Sequence, residues 1–144
     1  MKWLAIAIVV VVACGGAPAS DTLSKRLELE NRVTMLWSQI REFRRDANMP
    51  LDPPRNFVFQ FHGRSVQEAA RVCTDGHEVP PRCNDVCSIS DNICDNAEAI
   101  CSIADELGKG DEYAQDKCAS AKASCREAKQ RCCACSAAAP PEGT

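Results

Sequence analysis

Residues 83–135 read CNDVCSISDNICDNAEAICSIADELGKGDEYAQDKCASAKASCREAKQRCCAC, and the cysteine spacing in this stretch decides the fold. Cys87, Cys94 and Cys101 are seven apart, and so are Cys118, Cys125 and Cys132. Seven residues make about two helical turns, so each trio lies along one face of a helix. Between the trios, Glu106 to Asp111 holds Gly108 and Gly110. That reads as a helix stop, a turn and a fresh cap at Asp111. Two helices joined by a short turn run antiparallel, and the pattern predicts them over 82–107 and 111–135. Facing residues in such a pair have numbers that add to a constant. Cys87 with Cys132, Cys94 with Cys125 and Cys101 with Cys118 all give 219. The layers between the rungs pair Ser90 with Ala128, Ala97 with Ala121 and Ala104 with Ala114, all at 218. A disulfide wants Cα atoms roughly 5.5–6 Å apart, and a seam of small residues permits that approach. Bridges within one helix fail, because a separation of seven residues spans about 10.5 Å along the axis.

Four further cysteines flank the ladder. Cys83 with Cys135 adds to 218 and continues the small-residue layer by one step. Cys73 is then left with Cys133, which sits about 100° off the seam. A bridge to the preceding short helix needs that offset. The innermost bridge closes the shortest loop and contributes around 3 kcal/mol. The outer rungs add less, because the inner one already shortens their loops.

Working outward, the N-terminus is an address. Lys2 precedes an apolar run that ends Val11-Val12-Ala13-Cys14. The run is too short for a permanent bilayer span and reads as a signal peptide over 1–13. Its last four residues resemble the lipobox of bacterial lipoproteins. The resemblance implies cleavage before Cys14, lipid attachment at Cys14 and a membrane-anchored, periplasm- or surface-facing protein. Gly15 after the cysteine leans toward the outer membrane. Of the 11 cysteines, setting Cys14 aside leaves ten, the even number a closed framework needs.

Residues 14–20 then read as the lipidated cysteine and a flexible tether, and 136–144 as a disordered tail. Residues 21–48 read as one amphipathic helix, capped by Asp21 or Ser24. Its heptad seam is Leu29, Val33, Leu36, Ile40, Phe43 and Ala47, widened by Leu27 and Trp37. Lys25, Arg26, Arg41, Arg44 and Arg45 form an opposite, solvated face. Pro50 stops the helix. Residues 49–64 read as an extended strap. Phe57, Phe59 and Phe61 alternate like a short strand, but no second strand exists to pair with it. The expected arrangement lays the three phenylalanines into a helix groove. Ser65 and Glu68 have capping-box spacing and open a short helix that runs to about Cys73, with Gly76 able to end it. Residues 65–135 form the cysteine-rich helical domain.

The hairpin helices differ outside the seam. The first carries Val86, Ile89, Ile93, Ile100, Ile103 and Leu107, a stripe that needs cover. The second shows Asp116, Lys117, Lys122, Arg126, Lys129 and Arg131. The helix at 21–48 is the available cover. The rival is that a stripe pairs with a second copy, giving a homo-oligomer. The fold class is therefore all-α: a disulfide-laddered antiparallel hairpin packed with an N-terminal amphipathic helix, three or four helices in all.

In architecture the hairpin resembles the coiled-coil-helix–coiled-coil-helix (twin-cysteine) proteins, although those space their cysteines more widely. The lipobox together with Cys83 through Cys135 is also similar to uncharacterised cysteine-rich bacterial lipoproteins, a likeness that implies no activity. The formal charge of -3 without a basic block argues against nucleic acid. His62 and His77 sit in no catalytic signature, and no phosphate loop or haem motif is present. The expectation is a non-enzymatic, lipid-anchored structural or protein-interaction module. It calls for no cofactor and meets its partner through Ile89, Ile93, Ile100 or through Phe57, Phe59, Phe61. The alternative is Cu(I) or soft-metal storage on the cysteine-lined helices, which resembles bacterial copper-storage proteins. Cys132-Cys133-Ala134-Cys135 would be part of that store.

Overall fold

The computed structural model describes residues 19–138, so Cys14, the expected signal peptide over 1–13, most of the expected tether and most of the expected tail lie outside the described residues. Among the described residues five helices follow one another: α1 (Ala19–Asp46), α2 (Arg55–Val58), α3 (Val66–Ala70), α4 (Asn84–Leu107) and α5 (Glu112–Ala137). Short 3-10 turns at Phe59–Phe61 and Pro81–Cys83 link them. Among the described residues there is no strand.

The antiparallel pair α4 and α5 forms the centre. Three rungs, Cys87–Cys132, Cys94–Cys125 and Cys101–Cys118, each hold Cα atoms 4.7 Å apart. A helix carries its Cα atoms about 2.3 Å from its axis, so the two axes lie no more than about 9 Å apart at each rung. The alternate layers are small and closed: Ser90, Ala97, Ala104, Ala114 and Ala121 have no exposure, and Ala128 has 2%. Cys83–Cys135 and Cys73–Cys133 complete the set, with Cα separations of 5.9 and 5.4 Å. Gly108 ends α4 at φ 87°, a conformation open only to glycine at low cost. The Asp111 side chain then caps α5 by accepting from the Ala114 amide.

Helix α1 covers the isoleucine stripe. Val33, Ile40, Ile93 and Ile100 are fully buried, and Trp37, Cys94, Ala97 and Ile103 join them in one cluster. Lys25 pairs with Glu106 and Gln39 with Asn96, so α1 runs antiparallel to α4. Its other end meets the far end of α5, where Arg44 pairs with Glu127 at 2.6 Å. The segment α2–α3 packs on the other side of α5. Val58, Phe61, Ala69, Ala119 and Ala123 close a second cluster there. Every residue from Cys118 to Cys125 is therefore buried, and α5 is wrapped on all sides through its middle.

Several expectations need correction. The strap at 49–64 is not extended. Phe57 and Phe61 are four residues apart, which is a helical face as much as a strand face. Their rings meet edge to face at 5.1 Å, while Phe59 points outward. The capping box at Ser65 and Glu68 is present, but α3 stops at Ala70 rather than near Cys73. The α1 helix begins at Ala19 and ends at Asp46, ahead of Pro50, with Asn48 at φ 53° in the left-handed region. Ser136 and Ala137 belong to α5 rather than to a tail. Arg44 is not on a solvated face. It has no exposure, and its Nε donates to the Pro50 carbonyl while Nη1 meets Glu127. Lys122, read as outward, is 7% exposed.

Candidate functional site

Among the described residues, two regions stand out for chemistry beyond packing. The first is a cleft of about 580 Å3 between α1, the α2 segment and α5. Trp37 and Arg41 come from α1, Arg55, Val58, Phe59 and His62 from the middle segment, and Asp116, Lys117 and Ser120 from α5. Phe59 stands at its lip with 76% of its surface exposed, the most exposed large apolar side chain among the described residues. His62 lies against that ring at 5.7 Å. Within the cleft, Lys117 Nζ sits 5.2 Å from the centre of the Trp37 ring and 5.6 Å from that of Tyr113. Such cation–π contacts hold a flexible lysine in place. Arg41 pairs with Asp52 at 3.2 Å. The cleft thus combines aromatic surface with charges of both signs.

The second region is the open end of the ladder. There Cys73 and Cys132, each in its own disulfide, lie with His77 so that one ligand-capable atom from each falls within 4.8 Å of the others. A cavity of about 390 Å3 beside them is lined by Cys87, Asp91 and Lys129 as well. His77 arrives there on the turn after α3, where its amide donates to the Thr74 carbonyl.

The predicted partner residues are divided by the fold. Ile93 and Ile100 are fully buried beneath α1, and Ile89 is half-buried beside them. Phe61 is buried and Phe57 half-buried against α5. A docking surface needs residues that face outward, and of these six only Phe59 does. The disulfide residues take the pairing expected from register: Cys87–Cys132, Cys94–Cys125, Cys101–Cys118, Cys83–Cys135 and Cys73–Cys133. Cys14 lies outside the described residues.

Two basic side chains near the N-terminal end of α1 are already engaged. Lys25 meets Glu106 at 2.7 Å, and Arg26 meets both Glu30 and the Asp111 cap. The hydrogen bond to Glu106 raises the Lys25 pKa above its ordinary value, and the one to Glu30, with Asp111 nearby, raises that of Arg26. On α5, burial pushes the Lys122 pKa down while its Nζ donates to the Arg64 carbonyl at 2.7 Å. Sequence reading missed the cleft, because its walls come from three separate segments and share no spacing. It also missed the His77 grouping, since a histidine in a turn gives no periodic signal.

Comparison with protein-family models, with curated proteins and with solved structures finds no match.

Proposed function

We propose that this chain is a non-enzymatic interaction module, lipid-anchored through Cys14, that presents the Phe59 cleft to a protein partner. The observation that carries the docking face is Phe59 itself. An exposed phenylalanine costs solvation, and the neighbouring Phe57 and Phe61 show that the same segment can bury its rings. A ring left outward at the lip of a cleft with aromatic and charged walls fits a partner segment with an apolar anchor and a flanking charge. The anchor reading rests on the Val11-Val12-Ala13-Cys14 pattern, and the outer-membrane leaning rests on Gly15. Five bridges suit a small domain held in an oxidising space.

Two experiments test this reading. Labelled fatty acid should enter the wild-type chain and not Cys14→Ala, and equal labelling of both would remove the anchor. For the docking face, a photo-crosslinking residue is placed at 59 and, as a control, at exposed Met35. The protein is then irradiated in its own membrane. A discrete adduct from 59 that is absent from 35 is expected. Adducts from neither position, or the same adducts from both, would end the cleft proposal. The soft-metal storage alternative requires the rung cysteines as thiols, and in the structure all ten described cysteines are in disulfides. Intact mass with and without reductant, taken together with metal content, separates the two. Free thiols carrying several copper ions would favour storage.

A further inference from the structure

We propose that the open end of the ladder is a redox-gated metal site. With Cys73–Cys133 and Cys87–Cys132 reduced, it takes one thiophilic d10 cation, Zn(II) by its donor set. The ligands are Cys73, Cys132, His77 and one of Cys87 or Cys133. The first three are already gathered within 4.8 Å. A tetrahedral zinc with sulfur at about 2.3 Å and nitrogen at about 2.0–2.1 Å spaces its ligand atoms by roughly 3.5–3.8 Å. Closure therefore needs a contraction of about 1 Å, within reach of a side-chain rotation. The fourth ligand is at hand, since Cys87 is bonded to Cys132 and Cys133 to Cys73.

A second observation singles out the histidine. His77 Nε2 is shut off from solvent and has no hydrogen-bond partner among the described residues. A buried ring nitrogen without a partner is uncommon and calls for an explanation. In the opened form, coordination to a cation would give this nitrogen the partner it lacks in the closed one.

Access and support favour opening at this end. Cys73 and Cys133 are both half-exposed, whereas Cys87 and Cys132 are 6% and 4% exposed and Cys94 and Cys125 8% and 0%. Cys73–Cys133 therefore opens first and frees a Cys73 thiol within 4.8 Å of the Cys132 sulfur. Cys101 of the innermost rung is half-exposed too, but its partner Cys118 is 8% exposed. A thiolate must reach a sulfur to attack it. The site stays assembled after opening, because Cys83–Cys135 closes the hairpin beyond it and Cys94–Cys125 closes it on the other side. Arg126 also ties the α3 end to α5 by donating to the Arg71 carbonyl at 2.8 Å. In each opening step an external dithiol gives two electrons and two protons to the bridge and itself becomes a disulfide. On binding, three cysteine thiols release three protons to water and the imidazole coordinates through a free nitrogen. The site goes beyond the docking face and does not depend on it.

The test uses the full chain. A limiting amount of a phosphine reductant is added and removed, and differential alkylation maps which bridges opened. The opened form is titrated with Zn(II), with Co(II) as a spectroscopic probe and, separately, with Cu(I). The expectation is one zinc per chain, a tetrahedral thiolate–Co(II) spectrum, and an affinity weakened by roughly tenfold or more in His77→Ala. The closed form should bind none. The double variant Cys87→Ser/Cys133→Ser retains Cys73, Cys132, His77 and the other three bridges, and it should bind one zinc more weakly. One Cu(I) with the same His77 dependence, in a form that also binds zinc, supports the site further. The proposal is overturned if either form, folded by circular dichroism, binds no zinc. It is equally overturned by zinc binding that ignores His77→Ala, by inner rungs that open first, or by several Cu(I) ions indifferent to His77.

Discussion

Replacing Ala97 by leucine tests the physical claim at the centre of this fold, that the disulfide rungs force a small-residue seam. Ala97 has no exposure and lies between the Cys94–Cys125 and Cys101–Cys118 rungs. Its register partner Ala121 is equally closed. At each flanking rung the Cα atoms are held 4.7 Å apart, so the helix axes cannot spread beyond about 9 Å there. In an ordinary helix pair a larger side chain is absorbed by a small separation of the helices. Two covalent pins within one turn of the site block that relief. Overpacking typically costs 1–3 kcal/mol, and the pins put Ala97→Leu at or above the upper end, about 3 kcal/mol. For a domain of this size that corresponds to a fall in Tm of about 10 °C. The assay is thermal unfolding by circular dichroism with all bridges closed, beside Ala134→Leu at an exposed position as control. Disulfide mapping of the refolded variant should also show a flanking rung missing or mispaired in part of the population. A Tm within about 2 °C of wild type with five native bridges would refute the reasoning.

Other perturbations follow from named contacts. Arg44→Ala leaves Glu127 without its partner inside the structure and should cost about 3 kcal/mol in denaturant unfolding, with Arg44→Met costing less. Gly108→Ala meets no atom within 4 Å, so its expected loss of more than about 1 kcal/mol would come from the backbone at φ 87° alone. No loss of stability there would show that the turn relaxes freely. Ser90 Oγ is buried with no partner among the described residues, and Ser90→Ala should raise stability by about 1 kcal/mol. A measured decrease would mean that the hydroxyl is satisfied. Hydrogen bonds from the Ser65 amide and hydroxyl hold the Glu68 pKa below its ordinary value of 4.5. A carboxylate depressed in the folded state stabilises above its unfolded pKa and loses that contribution as pH falls through the folded one. The α3 start should therefore fray as pH drops below 4.5. Nuclear magnetic resonance would detect this as a Glu68 carboxyl and a Ser65 amide titrating together, and Glu68→Gln should abolish the response.

The hairpin was legible because its signal is covalent and periodic at once. A spacing of seven places cysteines on one helical face, and one register constant serves three rungs. Few alternative pairings survive the distance limit of a disulfide. The isoleucine stripe and its α1 cover were legible for a similar reason, since each presents an apolar face with no other place to go. The strap was misread because three phenylalanines at alternate positions also contain a pair at helical spacing. Three residues of alternation cannot arbitrate between the two periods. Packing decided it: Phe57 and Phe61 turn together onto Ala119 and Ala123 of α5, where an extended strand could seat only one face and would leave its backbone unpaired.

The larger misreading concerned the charges of α5, and it bears on function. Hydropathy treats Lys122, Arg126 and Arg131 as a face for water. Their long stems instead carry the cations to backbone carbonyls that other elements leave unpaired. Lys122 reaches Arg64, Arg126 reaches Ala69 and Arg71 at the end of α3, and Arg131 reaches Ala47 at 2.8 Å and Asn48 at the end of α1. Helix C-termini favour a cation by charge as well as by hydrogen bonding. Sequence periodicity within α5 cannot reveal this, because the acceptors lie 55 to 84 residues away. The consequence is that three basic side chains otherwise suited to an acidic partner or a lipid headgroup are bound within the chain, as Lys25 and Arg26 are at the other end. Recognition by surface charge is thereby weakened as an explanation of what the domain does. For the docking face proposed above, shape and apolar contact at the Phe59 cleft are then the stronger basis for partner choice. Charge reversal at Arg126 or Arg131 should accordingly loosen the fold before it changes any partner.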